Sequence, residues 1–192
     1  MRTINHTPVR RAGFSMLELL VVLAIVGIGM GMLLPRFRIT EYTTVQLVGM
    51  QMAQDIDVAR TRALSTRLMV RVNFDPTAKK YGGYLDHDGD GVIGESAVEW
   101  QALRGFGERT LDQGVIFGRG NAPPIPDNTD GGDVTFADAQ VEFDTRGLVR
   151  PMGSGGVVYL VKEGKPNAVV AVAVSPSGNT RLWTWRAEEG WK

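Results

Sequence analysis

Residues 86–93 read Asp86-His87-Asp88-Gly89-Asp90-Gly91-Val92-Ile93. Carboxylates at alternate positions can turn toward one point. The first glycine allows a sharp bend between them, and Val92 can add a backbone carbonyl. Hard oxygen donors in that order suit calcium, and the segment matches the start of an EF-hand loop. The twelfth position, where a bidentate glutamate belongs, is Ala97, and Glu95 and Glu99 miss it by two in either direction. No amphipathic helix clearly flanks the loop. Two readings stand. One is a calcium staple held by Asp86, Asp88, Asp90 and the Val92 carbonyl. The other is a polar hairpin tip whose Asp and Gly only make turns. His87 is read as exposed, not as a ligand.

A second cluster lies at the C-terminus. Arg181, Arg186 and Lys192 add charge there, and Trp183, Trp185 and Trp191 offer ring faces. Cations beside ring faces can hold phosphates and stack bases. Glu188 and Glu189 oppose that reading. A terminal strand with Leu182 and Thr184 on one face and Trp183 and Trp185 on the other accounts for the same residues. Elsewhere there is no nucleophile motif, no histidine pair, no P-loop and no zinc spacing, so the chain is read as non-enzymatic.

The elements that must position these residues begin with an apolar run. Residues 19–35 carry no charge, the run extends back to Phe14, and Arg2, Arg10 and Arg11 precede it. About 20 residues at 1.5 Å rise cross a hydrocarbon core of roughly 30 Å. The expectation is a membrane-spanning helix over 14–35, with the basic N-terminus cytoplasmic and the remainder exported. One acid, Glu18, sits inside the run. A carboxylate at the centre of such a helix costs roughly 2.5–3.5 kcal/mol; near the end the cost is lower, but a partner is still needed. A cleavable signal peptide fits poorly, because Leu33-Leu34-Pro35-Arg36-Phe37 is no small-x-small site.

From residue 40 to about residue 67 the pattern is amphipathic. Val45, Val48, Met52, Ile56, Ala59 and Ala63 recur every three or four residues, with Gln51, Gln54, Asp55, Arg62 and Ser65 assigned to the polar side. Pro35 is expected to kink the helix between the two halves. The period then changes to two. Strands are expected at 68–74, 81–85, 98–103, 114–118, 134–136, 141–143, 156–162, 168–175 and 180–186, with a long Gly/Pro-rich loop at 119–133. The last three strands form an antiparallel meander. The fold class is α+β: a long N-terminal helix, membrane-spanning then amphipathic, packed on a C-terminal antiparallel sheet domain over 68–192.

The stretch Gly13-Phe14-Ser15-Met16-Leu17-Glu18-Leu19-Leu20 resembles the class III signal of type IV pilins and of the pseudopilins of type II secretion. The helix segment 57–64, the hairpin 141–147 and the segment 172–178 are similar to the GspH/FimT branch of minor pseudopilins and pilins. The resemblance implies that prepilin peptidase removes residues 1–13 by cutting between Gly13 and Phe14, and that Phe14 is then N-methylated. It implies that Glu18 pairs with the new α-ammonium of a neighbouring subunit as subunits assemble. Implied partners are other major and minor pseudopilins or pilins, the inner-membrane assembly platform and membrane lipid. The implied location is the inner membrane, single-pass, with the C-terminal domain periplasmic and the subunit joining a pseudopilus or pilus. Larger type IV pilins often close a C-terminal loop by a disulfide. This chain has no cysteine, which fits the minor subunits better.

Charge bounds the function. The chain has 21 basic and 21 acidic residues; loss of the three leader arginines leaves 18 basic residues, a net of −3. That is no global nucleic-acid signature. The resemblance favours a minor pseudopilin supporting protein secretion across the outer membrane. The alternative is a FimT-like minor pilin that binds DNA for transformation. Some members of that branch carry a Gly-Arg-x-Arg motif, of which Gly178, Asn179, Thr180 and Arg181 keep only the second arginine; Arg186 lies near. A third reading is a membrane-tethered calcium-binding domain outside any filament.

Overall fold

The computed structural model describes residues 15–33, 41–93, 103, 106–111, 114–128 and 130–192. They fall into two units, one carrying the first helix and one running from Thr40 to Lys192. In the first unit, α1 spans Met16–Leu33 over 18 residues. It is apolar on every side, and Leu17, Leu20, Leu23, Ile25 and Ile28 are exposed. Among the described residues no helix is long and apolar enough to cross a membrane. Gly13, Phe14 and the expected Pro35 kink lie outside the described residues.

The second unit opens with α2, Glu41–Thr66. Glu41 in the first turn suits the positive end of the helix dipole. At the other end the Arg67 N–H returns to the Ala63 carbonyl at 3.0 Å, and Arg67 turns left-handed at φ 56°, a common helix stop. The buried stripe is Thr44, Val45, Gly49, Met52, Asp55, Ile56, Ala59 and Ala63. Val48 is half-buried against the same core. Asp55 is a correction: it faces inward, not outward.

Among the described residues ten strands follow: β1 Val70–Asp75, β2 Lys80–Leu85, β3 Arg109–Thr110, β4 Val115–Phe117, β5 Gln140–Phe143, β6 Val149–Arg150, β7 Gly156–Lys162, β8 Lys165–Val174, β9 Thr180–Arg186 and β10 Gly190–Trp191. They form two five-stranded sheets, ordered β3-β2-β1-β5-β6 and β10-β9-β8-β7-β4. Every pairing among the described residues is antiparallel. The meander β7-β8-β9 stands as expected. The strand expected at 134–136 is instead a single bridge, Val134 to Val158, after which the chain enters a 3-10 turn at Ala137–Ala139. Residues 98–102 lie outside the described set.

α2 packs on both sheets around one core that includes Met52, Ile56, Val70, Val72, Phe143, Val158 and Val172. Each such fully buried side chain contributes about 1.5–3 kcal/mol. Phe74 joins the sheets, stacking on Phe136 at 5.8 Å and meeting Phe117 edge-on at 6.4 Å. The far face of the second sheet is covered by the 119–133 loop. There Ile125 is buried with Tyr159 and Trp183, and its N–H donates to the Tyr159 hydroxyl at 3.0 Å.

Candidate functional site

The acidic loop begins where β2 ends and is pinned at both ends. The Asp86 N–H donates to the Met69 carbonyl at 2.9 Å. Arg71 on β1 donates through Nη1 to the Ile93 carbonyl at 2.8 Å and through Nε to Glu142 at 2.7 Å. Sheet pairing therefore fixes the loop's entry and exit. Within it, Gly89 and Gly91 take φ of 75° and 83°, which only glycine adopts without strain.

The three aspartates converge. One carboxylate oxygen from each of Asp86, Asp88 and Asp90 lies within 4.8 Å of the others, a set that can bind a metal ion. Asp86 is buried, and its two oxygens accept the N–H groups of Gly89 at 2.8 Å and Gly91 at 2.9 Å. Asp88 accepts from the Asp90 N–H at 3.2 Å, and Asp90 from the Val92 N–H at 2.7 Å. Carboxylate oxygens keep a second lone pair in each of these bonds, so the donor set fits a hard cation. His87 is exposed. Residues 94–100, with Glu95, Ala97 and Glu99, lie outside the described set.

The C-terminal cluster is built differently from a stacking platform. Trp183 is buried beside Ile125 and Tyr159. Trp191 packs on Trp185 at 5.5 Å, and its indole N–H donates to the Pro123 carbonyl at 3.0 Å. These rings hold the loop to the sheet. Arg181 is exposed, its guanidinium 3.9 Å from the Trp183 ring centre. Arg186 lies over Tyr42 at 5.6 Å and pairs with Glu189 at 3.7 Å. Glu18 stands in the first turn of α1.

Sequence reasoning missed two anchoring residues of α2. Asp55 accepts the Tyr81 hydroxyl at 2.9 Å and pairs with Arg109 at 2.7 Å, joining α2 to β2 and β3. Burial, then the Asp55 charge, push the Tyr81 hydroxyl far above its ordinary value. The spacing held a signal: Asp55 is three residues after Met52 and four before Ala59, on the apolar stripe. Arg60 carries the second anchor, donating to Gly147, Ser177 and Asn179.

Helix, sheet order and N-terminal segment can now be set beside known proteins. The prokaryotic N-terminal methylation motif matches residues 9–34. The type IV minor pilin FimU of Pseudomonas aeruginosa superposes with a TM-score of 0.51 at 14% identity, over 76% of this chain and 92% of that one. The chain has a type IV pilin-like fold. The minor pseudopilin EpsH of the Vibrio cholerae type II secretion system gives a TM-score of 0.50 at 14% identity, over 74% of this chain and 95% of that one. A comparison with curated protein sequences returns no match. In this pilin-like frame α2 is the helix packed on the antiparallel sheets, and the methylation motif covers all of α1.

Proposed function

We propose that this pilin-like chain is a minor pseudopilin of a type II secretion filament. It is cut by prepilin peptidase between Gly13 and Phe14, N-methylated at Phe14, and held in the inner membrane by α1 with its flanking residues. The domain from Thr40 onward is periplasmic. The protein is a structural subunit, not a catalyst. Its partners are other pilin-like subunits, which α1 contacts as it leaves the bilayer for the filament.

The observation that carries this reading is the methylation motif over residues 9–34, with Glu18 in the first turn of a helix that is otherwise apolar on every side. Cleavage after Gly13 creates an α-ammonium four residues before Glu18. Two charges that are each costly in an apolar setting become tolerable as a pair across subunits. Mass spectrometry of the protein from its native membrane tests the processing step. The expected N-terminus is N-methylated Phe14. An intact Met1 N-terminus, or cleavage after the apolar run, contradicts the reading.

The Asp86, Asp88 and Asp90 carboxylates, with the Val92 carbonyl, hold calcium in this proposal. The ion acts as a local staple on a loop already pinned by Arg71, not as a switch. A role in DNA uptake is the class-distinct alternative, resting on exposed Arg181. The packing of Trp183, Trp185 and Trp191 into the domain favours the secretion reading.

A further inference from the structure

A cleft of about 570 Å³ opens between the end of α2, the acidic loop and the turn that joins β5 to β6 and runs on past it. Three guanidinium groups line it, from Arg67, Arg146 and Arg150. Two acids line it as well, and both are already engaged. Asp86 accepts two backbone N–H groups. Asp144 accepts the N–H groups of Arg146 and Leu148, and the Arg146 side chain at 3.1 Å. Burial works to raise the Asp144 carboxyl; those bonds outweigh it and hold it below its usual range, so it stays charged at neutral pH. Arg67 and Arg150 are exposed and have no carboxylate partner among the described residues. The one polar contact of Arg150 there is the Met69 sulfur at 3.2 Å. Leu68, Met69 and Met152 give the lining its apolar part, beside Gly89, Gly91 and Thr145, and Met152 is 76% exposed.

We propose that this cleft docks an acidic peptide segment of a partner protein, one that presents carboxylates beside an apolar side chain. Two unpaired guanidinium forks match two carboxylates in bidentate geometry. Flexible methionines suit an apolar side chain of variable shape. Nucleic acid fits less well, because among the described residues no aromatic ring lines the cleft to stack on bases. The inference does not rest on the filament reading, and the cleft shares Asp86 with the proposed calcium site.

The test uses full-length protein in detergent micelles with EDTA present. Fluorescence anisotropy follows a labelled Gly-Glu-Leu-Glu-Gly peptide, its glutamine counterpart and a short single-stranded oligonucleotide. The glutamate peptide binds saturably and the glutamine peptide does not. Arg67→Gln with Arg150→Gln weakens binding by about tenfold or more, Arg67→Lys with Arg150→Lys keeps part of it, and Arg186→Gln leaves it unchanged. Near-UV circular dichroism checks that each variant is folded. Absence of saturable peptide binding, binding indifferent to the double glutamine variant, or preference of these arginines for the oligonucleotide overturns the proposal.

Discussion

Arg60 Nη1 donates to Asn179 Oδ1 at 3.0 Å, tying the middle of α2 to the turn before β9. The same side chain reaches the Ser177 carbonyl at 3.0 Å and the Gly147 carbonyl at 3.1 Å. Asp57 adds a bond from the Thr180 hydroxyl at 2.7 Å. One helix face thus clamps a turn from each sheet. An arginine in place of Asn179 would set cation against cation here, a physical reason for the amide at this position.

Removing the clamp should loosen the domain. Arg60→Ala loses three charge-assisted bonds and should cost about 1–3 kcal/mol, read as a lower denaturation midpoint with an unchanged slope. Gly178→Ala should be worse tolerated than an ordinary turn substitution. Gly178 sits at φ 80°, and a Cβ there would lie 2.3 Å from the Gly147 carbonyl oxygen. Wild-type stability in both variants would show that the clamp is incidental.

The Asp55–Tyr81 pair sets an alkaline limit. Because the folded Tyr81 hydroxyl is raised above its unfolded value, the associated stability is fully present below an unfolded tyrosine pKa of about 10. It is lost as pH climbs from there toward the folded value. Tyr81→Phe should flatten that alkaline loss while costing about 1 kcal/mol at neutral pH. Asp55→Ala should cost about 2–4 kcal/mol, since it strands a buried hydroxyl and removes the Arg109 ion pair. An alkaline profile identical in wild type and Tyr81→Phe would rule the pair out as its cause.

Calcium should stabilise the domain if the aspartate triplet binds it. At about 100 times the dissociation constant the gain is about 2.7 kcal/mol, visible as a raised Tm. Magnesium should do less, because it holds its waters and demands a stricter octahedron. Asp88→Asn with Asp90→Asn should abolish the shift without lowering the metal-free Tm, as both side chains are exposed. An unmoved Tm at millimolar calcium would leave the loop as a plain turn.

Much of this architecture was legible because its signals are local. The stripe from Val45 to Ala63 and the alternation in 156–186 each report one face of one element. The two-sheet arrangement was not, because β1 pairs with both β2 and the distant β5, and such pairing leaves no mark on neighbouring residues. The strands β3, β6 and β10 are two residues each, too short to show a period. The burial of Asp55 on the apolar stripe is hard to read from sequence, because its partners Tyr81 and Arg109 lie on other elements. The triplet of the acidic loop is visible in spacing alone, whereas the Arg60 clamp depends on a turn from each sheet and the cleft of Arg67 and Arg150 on distant turns of the first sheet.

The central claim is a subunit that serves secretion through its N-terminal helix. A deletion strain should be scored for protein secretion and for DNA uptake, and complemented with wild type and with Glu18→Ala. The account predicts lost secretion, normal uptake, rescue by wild type and failure of rescue by Glu18→Ala. Normal secretion with lost uptake, or full rescue by Glu18→Ala, would contradict it.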